Sequence, residues 1–222
     1  MVDQLNSIGE AGLKFFGKMT ASISHEIKNA LAIINENAGL LEDIALMADR
    51  GREIEPERLK TVSRAVIKQI RRADIIIKNM NRFAHSADET TTTVDLRDSL
   101  LLVVALSERL ASMRSVTLAP KLPETPLNIR TVPFLLMNLI WLCLDFAITA
   151  AGDDKIVELA ILKTENGAQI QFRRLTGLTE APLDAFPAER ERNLINVLRA
   201  ELAVDGKNNE LVINLATDVD KG

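Results

Sequence analysis

The chain has 222 residues, 47% of them hydrophobic, and a formal net charge of -4 at pH 7. This length suits one large or two small domains, and the apolar content is ample for a core. The acidic balance does not favour bulk attraction to nucleic acid, and the single cysteine, Cys143, excludes a disulfide framework and suits a reducing cytoplasm. Because residues 1–12 lack a basic region followed by an apolar block, we expect no secretory signal and a cytoplasmic protein.

The first predicted element is a long helix that begins near residues 9–13 and ends at about Ala48. Residues that recur along it at steps of three and four, or a multiple of them, predict one apolar seam: Phe16, Thr20, Ile23, Ile27, Ala30, Ile34 and Leu41. His25 lies two residues from both Ile23 and Ile27, which at about 100° per residue places its imidazole roughly opposite the seam. A histidine presented to water in this way is predicted to react rather than to fill a core.

The helix surface around His25 is the predicted partner-binding surface. Its side chains are small or polar and lie within two turns of the histidine: Lys18, Ala21, Ser22, Lys28 and Ala32. Asn29 lies one turn from His25 on the same surface. A partner could therefore approach the imidazole closely.

A second helix is predicted to follow the break at residues 49–53, with Pro56 in its first turn. Its apolar residues follow a spacing close to that of a coiled-coil seam: Leu59, Val62, Val66, Ile70, Ala73, Ile77 and Met80. Two long amphipathic helices joined by a short loop predict an antiparallel hairpin whose seams are half exposed. Pairing two hairpins in a homodimer closes a four-helix bundle and removes that exposure.

The outer face of the second helix is basic. It carries Arg58, Lys60, Arg64, Lys68, Arg71, Arg72, Lys78 and Arg82. Two interpretations stay open, an ordinary solvated face and a surface that steers an acidic partner. Nucleic acid is disfavoured as that partner because no aromatic residues interleave with the charges.

The polar stretch after this helix predicts a domain boundary. We expect a helical hairpin domain over residues 1–86, a linker over 87–93 and a second domain over 94–222. In the second domain the patterns predict, in order, a helix Leu96–Met113, a strand Val116–Leu118, a helix Val132–Ala151, strands Ile156–Lys163 and Gln169–Arg174, a helix Ala188–Ala203 and a strand Glu210–Leu215. The fold class is therefore α+β. His85, at the edge of the linker, is expected to be a capping or surface histidine.

The segment Val132–Ala151 is twenty residues long with Asp145 as its only charge. That length would span a bilayer. However, Asp145 would be costly in lipid, and no basic cluster flanks either end. A helix buried on most sides of a soluble domain is the preferred interpretation, and no membrane contact is expected.

The run Ser24-His25-Glu26-Ile27-Lys28-Asn29 resembles the H-box of sensor histidine kinases, in which the histidine accepts a phosphoryl group on a ring nitrogen. The resemblance implies that Glu26 hydrogen-bonds and orients the imidazole, and that Asn29 positions water for dephosphorylation. It also implies a dimer, because the dimerisation and phosphotransfer domains of that family are hairpins that pair. Where the family has a proline this chain has Ala30, which implies a weaker helix bend.

The order of elements after residue 94 resembles the ATP-binding domain of histidine kinases, the Bergerat fold. The phrases Val94–Leu100, Val116–Leu118 and Leu136–Ile140 resemble its opening and the start of its N-box. The chemistry departs from that family: Leu142 stands where the N-box has its second asparagine, and Arg173–Gly177 stands where the family has Asp-x-Gly-x-Gly. No glycine occurs between Leu178 and Asp205, in the segment where a second glycine box and lid should lie, residues 179–192. We therefore expect a degenerate domain that binds no ATP, with no cofactor or metal site of its own.

An H-box without an ATP site resembles the dimeric histidine phosphotransferases, which relay phosphoryl groups between receiver domains of response regulators. The resemblance implies that His25 is the phospho-acceptor and that the receiver supplies Mg²⁺. Two alternatives stay open. One is a divergent histidine kinase, and the other is a non-catalytic dimeric scaffold that inhibits a kinase or a response regulator.

Overall fold

The structure is a computed structural model that describes residues 2–178 and 186–220. Its elements, in chain order, are α1 (Val2–Asp49), α2 (Pro56–Ser86), β1 (Thr92–Asp95), α3 (Leu96–Met113), β2 (Thr117–Lys121), β3 (Asn128–Thr131), α4 (Pro133–Thr149), β4 (Ile156–Lys163), β5 (Gly167–Arg173), α5 (Glu189–Val197), β6 (Glu201–Asp205) and β7 (Glu210–Ala216). The predicted α+β class, a helical hairpin followed by a mixed sheet with helices, is confirmed. By its contacts the chain divides into two compact units, residues 18–82 and the remainder.

The hairpin unit, residues 18–82, consists of most of α1 and most of α2, joined by a short loop. Gly51 follows α1 with φ +76°, a left-handed conformation that glycine adopts without strain, and its amide donates to the carbonyl of Ala48 (2.8 Å). Pro56 starts α2, as predicted, because a first-turn residue needs no amide donor. The buried apolar residues of this unit are Met19, Ile23, Ala30, Ile44 and Val62.

The sheet unit holds a five-stranded sheet in the order β2-β4-β5-β7-β6 and a separate two-stranded sheet of β1 and β3. β2 pairs with β4 in parallel, and the other neighbours are antiparallel. Leu211, Ile213 and Leu215 of β7 are buried at alternate positions, which is the period expected of a strand with one covered face.

Helix α4 is apolar on almost all sides and is buried accordingly. Twelve of its 17 residues are buried, and it contacts both α3 and α5. Its one charged residue, Asp145, forms an ion pair with Arg114 (2.9 Å). Among the described residues, no helix combines the length and the hydropathy needed to cross a membrane.

One predicted element of the sheet unit has the wrong C-terminal bound. The predicted helix Ala188–Ala203 ends at Val197, and β6 occupies Glu201–Asp205 instead. The reason is the turn that follows, in which one carboxylate oxygen of Asp205 accepts hydrogen bonds from the amides of Lys207 (2.9 Å) and Asn208 (3.1 Å), joining β6 and β7 as a hairpin.

The strands β1 and β3 were not predicted. They are only four residues long and are separated in sequence by α3 and β2. They pair in antiparallel register, from Thr92 opposite Thr131 to Asp95 opposite Asn128. Thr92 and Thr93 fall in the stretch predicted as a linker. Short strands of this kind lack the run of alternating residues on which a prediction depends.

Four aromatic rings from separate parts of the sequence meet inside the sheet unit. The ring centroid of Phe15 lies 5.3 Å from Phe83, 5.5 Å from Phe134 and 5.4 Å from Trp141. Phe15 is therefore buried whereas the predicted seam residue Phe16 is 38% exposed. Residues up to 17 of α1 and from 83 onward belong to this unit because these rings pack together.

Candidate functional site

His25 lies at mid-length of α1, in the hairpin unit, with its side chain exposed. Ile23 is 4% exposed and Ile27 half-buried, so the apolar side of the helix is turned away from the imidazole. This geometry follows from the helical repeat alone, since side chains two residues apart point in nearly opposite directions.

The predicted partner-binding residues lie around the histidine on the same helix. Lys18, Ala21, Lys28 and Ala32 are exposed, and Ser22 is half-buried. Asn29 is exposed as well. Within the described part of the chain, neither His25 nor Asn29 makes a side-chain hydrogen bond, which leaves their polar atoms to water or to a partner.

Glu26, the residue after His25, is tied to the other helix of the hairpin. Its Oε2 accepts a hydrogen bond from Nη2 of Arg72 on α2, in an ion pair between residues 46 positions apart in sequence. The Glu26 side chain is 23% exposed and that of Arg72 is 48% exposed. The contact with Glu26 was not predicted, and Arg72 was recognised only as one of the basic residues of α2. No local spacing indicates a contact between residues far apart in sequence.

The basic face of α2 is exposed in all its predicted members, from Arg58 to Arg82. Lys60 pairs with Glu57 one turn away (2.6 Å), an ordinary surface pair within one helix. Lys68, Arg71 and Lys78 form no ion pair with any described residue. A band of uncompensated positive charge therefore lies on the helix that carries Arg72.

In the sheet unit, the helix positions that resemble an N-box are enclosed. Leu142 is 3% exposed, Cys143 is fully buried, and Asn138 is 1% exposed with its amide nitrogen unpartnered among the described residues. Burial raises the pKa of the Cys143 thiol well above its usual value of 9.0, and the nearby charge of Glu191 raises it further. These positions present no oxygen ligand to solvent.

Residues just before α5 and in its first turn lie near α4. The ring of Phe186 stacks on Phe146 with centroids 4.1 Å apart and planes 9° apart. Glu191 is 1% exposed and accepts hydrogen bonds from the amide of Ala188 (2.9 Å) and from Nε of Arg190 (2.6 Å). Residues 179–185, the first part of the segment in which the sequence lacks a second glycine box, lie outside the described residues.

The residues that replace Asp-x-Gly-x-Gly make structural contacts. Arg173 pairs with Glu210 (3.3 Å), and Arg174 pairs with Asp154 (2.9 Å). The amide of Gly177 donates to the carbonyl of Ala150 (3.0 Å). These groups join strand β5 and the loop after it to their neighbours in the sheet unit. No group of three or more histidine, cysteine or carboxylate side chains in residues 2–178 and 186–220 is arranged to hold a metal ion.

No family model and no curated protein matches the sequence. Among solved structures, the chain is similar to histidine kinase ThkA in complex with response regulator protein TrrA, with 15% identity, a TM-score of 0.49, and coverage of 95% of this chain and 64% of that one. It is also similar to Acinetobacter baumannii histidine kinase AdeS, with 10% identity, a TM-score of 0.46, and coverage of 87% and 98%. The cytoplasmic segment of histidine kinase QseC matches with 18% identity, a TM-score of 0.42, and coverage of 67% and 95%. At these values a function for this chain has to be argued from its own residues.

Proposed function

We propose that this protein is a histidine phosphotransferase that relays phosphoryl groups between receiver domains of response regulators in a two-component phosphorelay. The observation that carries the proposal is the placement of His25, exposed on a long helix beside a glutamate that is held by the second helix of the hairpin. A neutral imidazole is nucleophilic near physiological pH, and a rigid helix presents it to a partner at low entropic cost.

The proposed reaction moves one phosphoryl group in two steps. A ring nitrogen of His25 attacks the phosphorus of an aspartyl phosphate on the first receiver. The N–P bond forms as the P–O bond to the aspartate breaks, and the carboxylate leaves. A carboxylate on the second receiver then attacks the phosphohistidine, the N–P bond breaks, and the imidazole is restored. Glu26 orients the ring through its other nitrogen, and Asn29 positions water in the competing hydrolysis.

Mg²⁺ in this reaction is expected from the receiver domain. It neutralises charge on the phosphoryl oxygens when bound there. The described part of this chain offers no carboxylate cluster near His25, since Glu26 is the carboxylate beside it and is engaged by Arg72. We therefore propose no metal ligand in the chain itself.

Enclosure of the N-box positions supports a relay over an ATP-dependent kinase. A phosphate-bound magnesium ion needs an oxygen ligand, and Leu142 and Cys143 are apolar and buried. Phe186 stacks on Phe146 of the same helix, and Glu191 is buried near Cys143. We propose that the sheet unit is a degenerate nucleotide domain that binds no ATP.

The exposed apolar residues of the hairpin support a homodimer. They include Leu31 (54% exposed), Ile67 (44%), Ile70 (47%), Ile75 (59%) and Ile77 (42%). Exposed apolar side chains on both helices of a hairpin are what a second hairpin covers in a four-helix bundle. The basic face of α2 would then steer an acidic receiver toward Lys18, Ala21, Ser22, Lys28 and Ala32 around His25.

The test is transfer from candidate receivers labelled with radioactive phosphate to wild type, His25→Ala and His85→Ala. His85 is the matched control because it is the other histidine of the chain and is also exposed. We expect label to move to wild type and to His85→Ala and not to His25→Ala. Robust labelling by γ-phosphate of ATP without a receiver would favour the kinase. Full regulatory activity of His25→Ala would favour the scaffold.

A further inference from the structure

Arg72 of α2 contacts Glu26, the residue that follows His25 on α1. Its Nη2 donates to Oε2 of Glu26. Arg72 lies on the basic face of α2, on which Lys60 pairs with Glu57, whereas Lys68, Arg71 and Lys78 have no ion-pair partner among the described residues. The contact is therefore selective for one arginine of several on the same helix.

An ion pair of this kind contributes little to stability, because both side chains are partly exposed and solvent screens their attraction. The ion pair has a larger effect on the conformation of the Glu26 side chain than on stability. A glutamate side chain has three rotatable bonds, and anchoring one carboxylate oxygen removes most of the conformations that a free glutamate would populate. The second oxygen, Oε1, keeps its lone pairs for another donor.

We propose that Arg72 is a positioning residue that fixes Glu26 so that Oε1 can hold the imidazole N–H of His25 during phosphoryl transfer. This inference rests on the proposed function of His25 as phospho-acceptor. Arg72 acts through Glu26 and does not touch the reacting atoms. Holding a base in one orientation lowers the entropic part of the barrier, because the reactive geometry is already populated before the partner binds.

A test that needs no receiver keeps this inference separate from the relay. Phosphoramidate phosphorylates histidine directly: a ring nitrogen attacks phosphorus, the P–N bond of the reagent breaks, and ammonia leaves. The initial rate of phosphohistidine formation is measured in a His85→Gln background so that only His25 can react. The variants are Arg72→Gln, Arg72→Lys, Glu26→Gln and the double variant Glu26→Gln/Arg72→Gln.

Arg71→Gln is the matched control. It lies next to Arg72 on the same helix, is exposed, and removes the same charge without removing an ion pair among the described residues. We expect Arg72→Gln to slow phosphorylation about 10-fold and Arg71→Gln to leave it unchanged. Arg72→Lys keeps a cation at the site and is expected to recover most of the rate.

The double variant distinguishes positioning from an independent structural role. If Arg72 acts through Glu26, the double variant is no slower than Glu26→Gln alone. Additive losses, or an Arg72→Gln rate equal to that of Arg71→Gln, would overturn the inference. Circular dichroism melting of each variant identifies a temperature at which all are folded, and the rates are compared there.

The same variants are then assayed with phosphorylated receivers. An effect of Arg72→Gln with phosphoramidate but no transfer from any receiver supports the positioning role and counts against the relay. Receiver transfer that is equally fast in Arg72→Gln and Arg71→Gln overturns the positioning role and leaves the relay standing.

Discussion

Phe15 and Phe83 meet edge to face, with ring centroids 5.3 Å apart and planes at 88°, although one lies near the start of α1 and the other near the end of α2. Both side chains are 1% exposed. Edge-to-face packing places the positive ring edge of one residue against the negative face of the other, which stabilises the pair beyond the area that it buries. This contact, with Trp141, makes the ends of both helices part of the sheet unit.

Substitution Phe15→Ala is expected to lower the free energy of unfolding by about 3 kcal/mol, because it removes a buried ring and leaves a cavity among three other rings. Phe16→Ala is the control and should cost less, since Phe16 is 38% exposed. Trp141 is the sole tryptophan and lies 5.4 Å from Phe15, so its fluorescence reports unfolding in urea at this site. Equal losses in the two variants would contradict a buried role for Phe15.

Substitution Ile70→Glu is expected to weaken a homodimer, because a charged group would be desolvated in the apolar seam between two hairpins. Ile70 is 47% exposed in the single chain. Met113→Glu is the control, since Met113 is 73% exposed at the end of α3, in the sheet unit. Light scattering coupled to size exclusion measures the mass of each. A monomeric wild type, or dissociation by both variants, would argue against pairing through this face.

Stability is expected to fall in acid partly through Glu158. The hydrogen bond from Lys121 (2.6 Å), with Arg173 nearby, lowers the pKa of Glu158 below its usual value of 4.5. A group whose folded pKa is depressed contributes stability above its unfolded pKa and loses it as pH falls through the folded pKa. Wild type should therefore lose more stability than Glu158→Gln between neutral pH and pH values below 4.5.

Glu165→Gln is the control for this titration because Glu165 is exposed in the turn between β4 and β5 and forms no ion pair with a described residue. Urea unfolding at a series of pH values gives the free energy for each protein. Identical pH dependence in wild type and Glu158→Gln would show that the contacts of Glu158 do not stabilise the folded sheet.

Substitution Gly167→Ala is expected to destabilise the sheet by about 3 kcal/mol, as in other overpacked sites. A Cβ at this position would lie 1.9 Å from the carbonyl oxygen of Leu215, and backbone of the paired strand β7 cannot move aside without losing hydrogen bonds. Gly206→Ala is the control, since nothing lies within 4 Å of its Cβ position. Thermal melting compares the two, and similar melting temperatures would contradict the close approach of β5 and β7.

Local patterns predicted the elements that depend on neighbouring residues. The helix Leu96–Met113 and the strand Ile156–Lys163 have the predicted bounds, and Pro56 begins α2. His25 is exposed, as predicted from its position two residues from both Ile23 and Ile27 on the helix. The helix, the strand and the exposure of His25 follow from the 3.6-residue or two-residue repeat of the backbone, and Pro56 suits a first turn because it needs no amide donor there.

Only the tertiary structure decided the contacts between residues far apart in sequence. The helical repeat allows either Phe15 or Phe16 to be buried. Both rings contact Phe83, and Phe15 is the one that also packs against Phe134 and Trp141. Part of the predicted helix Ala188–Ala203 instead belongs to strand β6, because its backbone forms antiparallel hydrogen bonds with β7.

The same distinction between local and tertiary determinants holds for the candidate site. The sequence by itself determined that His25, Glu26 and Asn29 share one helix and that the imidazole is turned away from the apolar seam, because a single helix fixes the directions of its own side chains. Tertiary structure alone decided that Arg72, one of several exposed cations on α2, reaches Glu26. The helices must first pack and set their register before an ion pair between them can form.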